Sequence, residues 1–276
     1  MPETIQSLSR GLRVLTLINQ RGAVSLADLH HATGFSRPAI LRLLATLEAE
    51  GFIRRWLDDG LYRVNTLSPG NNRNIAWLTL VADTIGPSLS DLTDQIGWPV
   101  DVAVLDGDKM TLCETTRRQS QYPVDLITSG YQVHLLQSAV GRAYLSFIGK
   151  DDRTALLGRL SRSTDPYDAL ARDREKVEAI VEEVRSLGYA TRSVGYSAQN
   201  TTYAGSMRAI AVPVYQDGTV AACLSVAWTA TYMDAETFAA KHLATVHATA
   251  REASHVMESA RAKTLSEAHQ PTSGPS

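Results

Sequence analysis

The first 50 residues alternate hydrophobic and polar positions with the period of an α-helix. Residues 7–20 place apolar side chains on one face, at Leu8, Leu12, Leu15 and Ile18. Because positions three or four apart lie on the same side of a helix, this spacing predicts an amphipathic first helix. It is expected to end near Gly22, since glycine often follows the last helical residue.

A second and a third helix are predicted directly after the first. Ser25, followed three residues later by Asp28, resembles a capping box, which starts a helix. This short helix is expected to end at Gly34, because glycine readily adopts the left-handed conformation found at helix ends. Ser36 then caps the next helix after a tight turn. Two short helices joined in this way form the helix-turn-helix pattern.

The third helix is predicted to have one buried and one exposed side. The helical spacing places its buried stripe at Ile40, Leu43, Leu44 and Leu47. The candidate DNA-contacting residues lie on the other side or at the start of the helix: Ser36, Arg37, Pro38, Leu41 and Arg42. An arginine on such a face, with small neighbours, suits insertion into the major groove. Leu41 contacts either a thymine methyl group or a neighbouring helix.

A β-hairpin is predicted after Gly51. The runs 52–57 and 61–65 flank Asp58-Asp59-Gly60, and Asp-Gly between such runs is a strong turn signal. The hairpin carries three arginines, each of which either reaches DNA phosphate or a narrow minor groove or is a solvated surface charge: Arg54, Arg55 and Arg63. Helical periodicity alone also fits an ordinary three-helix bundle. The ordered combination of helices, turn and arginine-bearing hairpin favours a winged DNA-binding domain.

The pattern changes beyond residue 65. Residues 65–74 are polar and rich in Asn, Pro and Gly, which indicates a domain boundary or hinge. Residues 75–97 return to helical spacing, interrupted at Gly86-Pro87. This segment is therefore either two helices or one kinked helix, because proline disrupts the hydrogen bonding of a helix interior.

The rest of the chain mixes strands with helices. Antiparallel hairpins are predicted at residues 100–115 and 207–228, each around a turn that contains Asp and Gly. Helices are predicted at residues 176–187 and 234–261, and the Ser-, Pro- and Gly-rich end is expected to be disordered. This mixture of elements predicts an α+β fold.

Composition and charge restrict the function classes. The chain has 276 residues, of which 44% are hydrophobic and 20% charged, as expected for a protein with a buried core. Its apolar runs are too short to cross a membrane, and no secretion signal begins the sequence, so a cytoplasmic protein is expected. The net charge of −2 conceals a net positive first 65 residues whose basic groups are all arginine. Arginine is the donor best suited to phosphate and guanine.

The first domain resembles the winged-helix domain of IclR-family transcriptional regulators. The segments that carry the resemblance are residues 9–15, 25–29, 36–47 and 50–55. With the boundary signals above, the resemblance implies four parts: a winged helix-turn-helix domain (1–68), a helical linker (69–97), a GAF-like effector-binding domain (98–262) and a disordered tail (263–276). It also implies a homodimer on double-stranded operator DNA, which in this family often pairs into a tetramer.

Two short segments narrow the resemblance. Trp98-Pro99-Val100-Asp101-Val102 and Glu114-Thr115-Thr116-Arg117 resemble the subgroup that regulates phenylpropionate and related aromatic-acid catabolism. The subgroup implies a small aromatic carboxylic acid as effector, and it leans towards activation of its target genes.

The effector site is expected around residues 138–143, which open a helix. A helix start offers unpaired N–H groups to an anion, although Ser138 and Gly141 also fit plain capping and close packing. The resemblance implies backbone donation to a carboxylate from Ala139 and Val140, and a polar contact from Ser225. Other family contacts align with Gln199 or Asn200, with Ala209 and with Ala227, where polar groups are lost. A less polar effector is therefore expected.

A second partner for the carboxylate and catalytic chemistry were also considered. Arg117, Arg118 or Arg192 is a candidate carboxylate partner, or else a surface charge. Gly195-Tyr196-Ser197-Ala198-Gln199 lacks the second glycine of a nucleophile elbow. No metal-ligand spacing or nucleotide-binding loop occurs, so no cofactor, metal or enzyme activity is predicted. The alternative is an enzyme acting on a small organic acid that carries an accessory helix-turn-helix.

Overall fold

A computed structural model describes residues 5–56, 59–64, 72–122, 124, 127, 129–197 and 206–268. The chain divides into two compact units, Met1–Trp77 and Leu78–Ser276. Within the described ranges, no helix has the length and apolar character needed to cross a membrane.

The first unit is a three-helix domain with a small antiparallel sheet. Its elements are α1 (Gln6–Arg21), α2 (Leu26–Thr33), α3 (Arg37–Ala49), β1 (Ile53–Arg55) and β2 (Tyr62–Val64). Residues from all three helices and from β1 form one hydrophobic core, which includes Val14, Ile18, Leu29, Ile40 and Leu44. The predicted helix-turn-helix and hairpin are confirmed.

The capping box of α2 and its glycine end form as the sequence predicts, but the side-chain cap of α3 does not. The Ser25 hydroxyl accepts a hydrogen bond from the Asp28 N–H at 3.1 Å, and the Asp28 carboxylate accepts one from the Ser25 N–H at 2.8 Å. The side chain and backbone of Ser25 hold the pKa of Asp28 below its usual value. Gly34 has a φ of 70°, the left-handed conformation. Ser36 occupies the N-cap position of α3, but its hydroxyl accepts no capping bond from the described backbone there.

The buried side of α1 differs from the prediction. Gly11, Val14 and Ile18 are buried, whereas Leu8 and Leu12 are 58% and 53% exposed. The reason is that α1 carries apolar residues on more than one side. The core of the first unit forms on the side of α1 that carries Gly11, Val14 and Ile18.

The second unit contains a six-stranded antiparallel sheet. Its strands are β3 (Val100–Asp106), β4 (Lys109–Thr115), β5 (Gln132–His134), β6 (Ala190–Thr191), β7 (Met207–Gln216) and β8 (Thr219–Thr229). They lie side by side in the order β5-β4-β3-β8-β7-β6. Both predicted hairpins, β3–β4 and β7–β8, are present with antiparallel register.

Helices cover the sheet and precede it. They are α4 (Asn72–Ile96), α5 (Ala139–Phe147), α6 (Lys150–Leu160), a 3-10 helix (Pro166–Arg172), α7 (Arg174–Leu187) and α8 (Ala235–Ala268). Residues 72–96 form a single helix with Pro87 inside it, so two separate helices are excluded. α8 continues to Ala268, so the prediction of disorder from residue 263 is wrong for residues 263–268. The α+β class is confirmed.

The two faces of the sheet have different neighbours. Trp228 of β8 stacks on Phe238 of α8, with ring centroids 3.7 Å apart. Ser225 and Ala227 line a cavity beside the start of α5. Because successive strand residues point to opposite faces, β8 separates α8 from this cavity.

Gly141 holds α5 against the chain that precedes it. A Cβ at this position would lie 2.3 Å from the Leu135 carbonyl oxygen. We therefore expect Gly141→Ala to lower the free energy of unfolding of the second unit by about 3 kcal/mol or more, as overpacking against backbone does. Urea unfolding followed by circular dichroism measures this loss.

Gly158→Ala is the matched control. Gly158 also lies inside a helix, α6, and an added Cβ there meets nothing within 4 Å. This change should leave stability unchanged or raise it by up to about 1 kcal/mol through helix propensity. Equal stabilities for the two variants would contradict the close packing at Gly141.

Candidate functional sites

The outer face of α3 is open to solvent in the first unit. Leu41 is 48% exposed. The other predicted contact residues of this helix and its cap are also exposed: Ser36, Arg37, Pro38 and Arg42. The buried stripe lies opposite, with Ile40 and Leu44 in the core and Leu43 and Leu47 packed against it. The first unit therefore leaves the predicted recognition face uncovered.

The hairpin arginines differ from the prediction. Arg54 is only 6% exposed and its guanidinium lies 5.0 Å from the centre of the Trp56 ring. Arg63 donates to the Asp59 carboxylate at 3.0 Å and forms an ion pair with it. The expectation that both residues are presented to DNA is therefore corrected. Arg55 remains exposed, with its Nε donating to the Gly60 carbonyl at 2.9 Å.

Strand register explains this correction. Arg54 and Arg63 are cross-strand partners, so their side chains share one face of the hairpin. Two like charges opposite each other repel, and the Asp59 carboxylate neutralises one of them. The spacing of arginines in the sequence does not reveal which face each one occupies.

The second unit contains a small cavity between the start of α5 and the sheet. Its volume is about 60 Å³, space for roughly four to six water molecules at ~10–15 Å³ each. Four of the predicted effector residues line it: Arg117, Ala139, Val140 and Ser225. The two others, Gln199 and Asn200, lie outside the described residues.

The start of α5 is fixed by Ser138. Its hydroxyl accepts a hydrogen bond from the Gly141 N–H at 3.1 Å and donates one to the His134 carbonyl at 2.8 Å. Ala139 and Val140 follow at the first helical positions, where N–H groups lack partners within the helix. The capping and close-packing roles of Ser138 and Gly141 are thus both present, beside a cavity that an anion can enter.

A buried ion pair forms one wall of the cavity. The Arg117 guanidinium donates from Nη2 to Asp101 Oδ2 at 2.7 Å and from Nε to Asp101 Oδ1 at 3.1 Å. The Thr115 hydroxyl donates to the same carboxylate at 2.6 Å. Arg117 is therefore neutralised within the wall, which weakens it as a partner for a ligand carboxylate.

Arg192 supplies the other positive charge of the lining. Its Nε donates to the Tyr196 carbonyl at 3.1 Å and its guanidinium lies 5.1 Å from the centre of the Tyr196 ring. With Asp101 and Arg117 cancelling, the ionisable lining residues Asp101, Arg117 and Arg192 carry a net charge of +1. The cavity is thus electrostatically suited to one carboxylate.

Tyr196 links the cavity to a polar cluster behind it. The Tyr196 hydroxyl accepts a hydrogen bond from the His134 N–H at 3.0 Å and lies 2.8 Å from His134 Nδ1. Burial raises the pKa of Tyr196 well above its usual value, so the hydroxyl keeps its proton. His134 Nε2 lies 2.9 Å from Asp165 Oδ2, which completes the chain of contacts.

Several lining residues were not anticipated from the sequence. They are Asp101, Leu112, Ile127, Tyr131, Val133 and Met207. Strand alternation offers a signal for part of this set, because Met207 has the same parity along β7 as Ala209, and Ala209 pairs with Ala227. Nothing local in the sequence marks Tyr131 or Ile127.

Among the described residues, no group of three or more His, Cys, Asp or Glu side chains is arranged to hold a metal ion. Cys113 and Cys223 are buried, and burial raises the pKa of Cys223, which keeps it as an unreactive thiol.

The burial of the Asp101–Arg117 ion pair predicts that removing one partner lowers the stability of the protein. Arg117→Met should lower the free energy of unfolding by about 3–5 kcal/mol, because it leaves the Asp101 carboxylate buried without its counter-ion. Thermal and urea unfolding measure the loss. The double variant Arg117→Met with Asp101→Leu should regain much of it, since both charges are then absent. A single variant as stable as the wild type would show that the pair is solvated.

The chain matches two family descriptions. Residues 7–55 match the IclR helix-turn-helix domain, and residues 78–255 match the C-terminal domain of the bacterial transcriptional regulator IclR. The HTH-type transcriptional regulator XynR of Escherichia coli K12 is 23% identical over 224 residues, which cover 80% of this chain and 85% of XynR.

Solved structures share the fold. IclR of Thermotoga maritima has a TM-score of 0.53 at 18% identity, covering 92% of this chain and all of that one. An IclR homologue from Microbacterium hydrocarbonoxydans, solved with 4-hydroxybenzoate, has a TM-score of 0.50 at 19% identity, covering 92% and 98%. Since both units of the chain match the family, the protein belongs to the IclR family of bacterial transcriptional regulators.

Proposed function

We propose that this regulator controls aromatic-acid catabolic genes, as an activator, in response to a small aromatic carboxylate bound in the cavity beside α5. The observation that carries the proposal is the position of the two segments that resemble the aromatic-acid subgroup. Residues 98–102 and 114–117 meet across the β3–β4 pair, and Asp101 and Arg117 line the cavity. Subgroup-like residues therefore belong to the ligand-facing wall.

The cavity's chemistry supports a one-ring acid. Backbone N–H groups at Ala139 and Val140, and the charge of Arg192, suit a carboxylate. The remaining wall is largely apolar and aromatic, with Leu112, Tyr131 and Met207 among its members. A few polar contacts in an apolar pocket orient such a ligand, and the cavity of about 60 Å³ has to widen to admit the ring. The relative solved with 4-hydroxybenzoate binds an acid of this class.

The DNA side of the proposal depends on α3. Arg42 and Arg37 are exposed on the recognition face, and Pro38 and Leu41 are the neighbours that approach the bases. Ser36 and Arg55 are exposed at the edges of this surface and contact phosphate. Arg54 and Arg63 support the hairpin through their contacts with Trp56 and Asp59.

We further propose that the chain acts as a homodimer in the cytoplasm, where two copies of α3 read a palindromic operator. The exposed apolar residues of α1 support this assignment. Leu8 and Leu12 are exposed and lie four residues apart, so they share one side of the helix, and the exposed Ile5 directly precedes it. A second copy of α1 is the partner that suits this surface, and such dimers pair further into tetramers.

Removal of Arg42 tests the DNA-binding surface. Arg42→Ala should weaken binding to the operator in the adjacent intergenic DNA by roughly 5- to 150-fold, the range of ~1–3 kcal/mol lost with one bidentate base contact. Gel shift at fixed salt concentration measures the change.

Arg13→Ala is the charge-matched control for Arg42. Arg13 is exposed on α1, a helix that carries none of the predicted DNA-contacting residues, and its removal should leave operator affinity nearly unchanged. If Arg42→Ala binds as tightly as Arg13→Ala, α3 does not read the operator through this residue.

Filling the cavity tests the effector site. Ala139→Leu should abolish the response to hydroxylated benzoates, phenylacetates and phenylpropionates, because the added methyl groups occupy a space of about 60 Å³. Operator binding without ligand should be unaffected, since Ala139 belongs to the second unit. Calorimetry measures the binding of the acids, and gel shift measures the binding of operator DNA.

The matched control is Ala155→Leu, the same change at an exposed position of α6. It should keep the wild-type response to the acid. A normal response in Ala139→Leu would place the effector elsewhere, and wild-type protein that binds none of these acids would refute the aromatic class while leaving the DNA assignment intact.

A further inference from the structure

A second cavity lies in the C-terminal unit and shares no lining residue with the first. It has a volume of about 450 Å³ and is formed by α6, the 3-10 helix and α7. Four of its lining residues are basic: Lys150, Arg153, Arg172 and Arg174. We call it the basic cavity. Its volume falls within the range of ~300–1,000 Å³ that is usual for small-molecule sites.

Arg153 is the unusual member of this lining. It is 5% exposed, although arginine is rarely buried without a close partner. Its nearest carboxylate, that of Glu178, is 3.7 Å from Nη2 and belongs to a half-exposed side chain. Among the described residues, buried Nη1 has no hydrogen-bond partner. A buried charged donor without an acceptor is costly. Nη1 itself has almost no accessible surface, so an anion in the cavity offsets the buried charge of Arg153 electrostatically rather than by a bond to Nη1.

Arg172 is held in place beside Arg153. Its Nε donates to the Ser161 carbonyl at 3.1 Å and its Nη2 to the Ser163 carbonyl at 2.7 Å. These two bonds fix the guanidinium before any ligand arrives, which lowers the ordering cost of binding. The cavity therefore has one buried and one pre-positioned arginine.

The positive charge of the lining is larger than a single carboxylate would neutralise. Glu178 is the one acidic residue in the described lining, so the ionisable side chains carry a net charge of +3. The first turns of α6 and α7 contribute Lys150 and Arg174, and the positive ends of both helix dipoles lie there as well. Asp151, Asp152 and Glu175 in those turns are exposed and do not line the cavity.

The apolar lining residues point to an organic ligand. Leu157, Ala171 and Val177 line the same cavity as the four cations. A nucleic-acid backbone can reach the exposed cations Lys150, Arg172 and Arg174 but not Arg153, which is enclosed, so a small anion uses the lining more fully. A metabolite with an apolar carbon skeleton and an anionic end matches both parts of the lining.

We propose that the basic cavity is a second ligand site of this regulator, for a small metabolite that carries at least two negative charges as a phosphate group or as several carboxylates. It is distinct from the effector cavity beside α5 and would let the regulator respond to a second metabolic signal. The inference does not rest on the aromatic-acid proposal.

Calorimetric titration of the full chain tests this site. The probes are pyrophosphate for the phosphate class and citrate for the polycarboxylate class, with acetate as the singly charged reference, all at constant ionic strength. At least one of the two multiply charged probes should bind saturably with one site per chain. Arg153→Gln should weaken that binding at least tenfold, and Arg174→Gln should weaken it severalfold.

Three variants serve as controls. Arg159→Gln changes an exposed arginine of α6 that pairs with Asp108 and does not line the cavity. Arg42→Ala removes a cation of the DNA-binding face, and Ala139→Leu fills the effector cavity. All three should bind the probe as the wild type does. Arg174 is exposed, so its variant keeps the test decisive if Arg153→Gln fails to fold.

Three results would overturn the proposal. In the first, neither pyrophosphate nor citrate binds the wild type more tightly than acetate. In the second, Arg153→Gln and Arg174→Gln both retain wild-type affinity, which places the probe elsewhere. In the third, these variants lose operator affinity while no probe binds, which assigns the arginines to the DNA backbone. A preference for pyrophosphate or for citrate identifies the ligand class.

Discussion

The second unit depends on the pairing of β8 between β3 and β7. β8 is hydrogen-bonded on both edges, to Val100–Ala103 on one side and to the whole of β7 on the other. Both of its faces are covered, because Trp228 packs on α8 while Ser225 and Ala227 face the cavity. A shift of one residue in this register would exchange the two sets of side chains. The cavity therefore exists only while this register holds.

The elements that the sequence predicts well are those with strong local signals. Asp-Gly turns placed both long hairpins, and the helix start at Ser25 was fixed by a capping box that forms from two nearby side chains. Gly188 ends α7 in the left-handed conformation that glycine favours. In each case the determining interactions lie within a few residues of one another.

The errors arise where tertiary packing decides. Leu8 and Leu12 have the same helical spacing as core residues, but the core of the first unit forms on the side of α1 that carries Gly11 and Val14. Nothing in the sequence distinguishes Arg54 and Arg63 from ordinary surface arginines. The strand register makes them cross-strand partners on one face of the hairpin. Around Pro87 the sequence allowed either two helices or one kinked helix. The structure has one helix, in which Val81, Ile85 and Leu89 are all buried.

The part of the candidate ligand site at the start of α5 was predictable from the sequence, and the rest of the cavity wall was less so. Ala139, Val140 and Ser225 were identified through the family resemblance and line the cavity. The helix start that carries the first two is also visible in the sequence. Asp101, Tyr131 and Ile127 come from segments distant in the chain that meet only in the folded sheet. The charge balance of the site could not be read beforehand either, because Arg117 is neutralised by a residue 16 positions away.

The start of α5, fixed by the Ser138 cap and by the close packing of Gly141 on Leu135, has an evolutionary consequence. It positions main-chain N–H groups, which only a change to proline removes, whereas side chains of β7 and β8 supply other parts of the cavity wall. Anchoring and discrimination are thereby assigned to separate parts of the polypeptide. Under the proposed effector assignment, exchange of wall residues such as Ala209 or Ala227 would change the inducer while the N–H anchor stays in place.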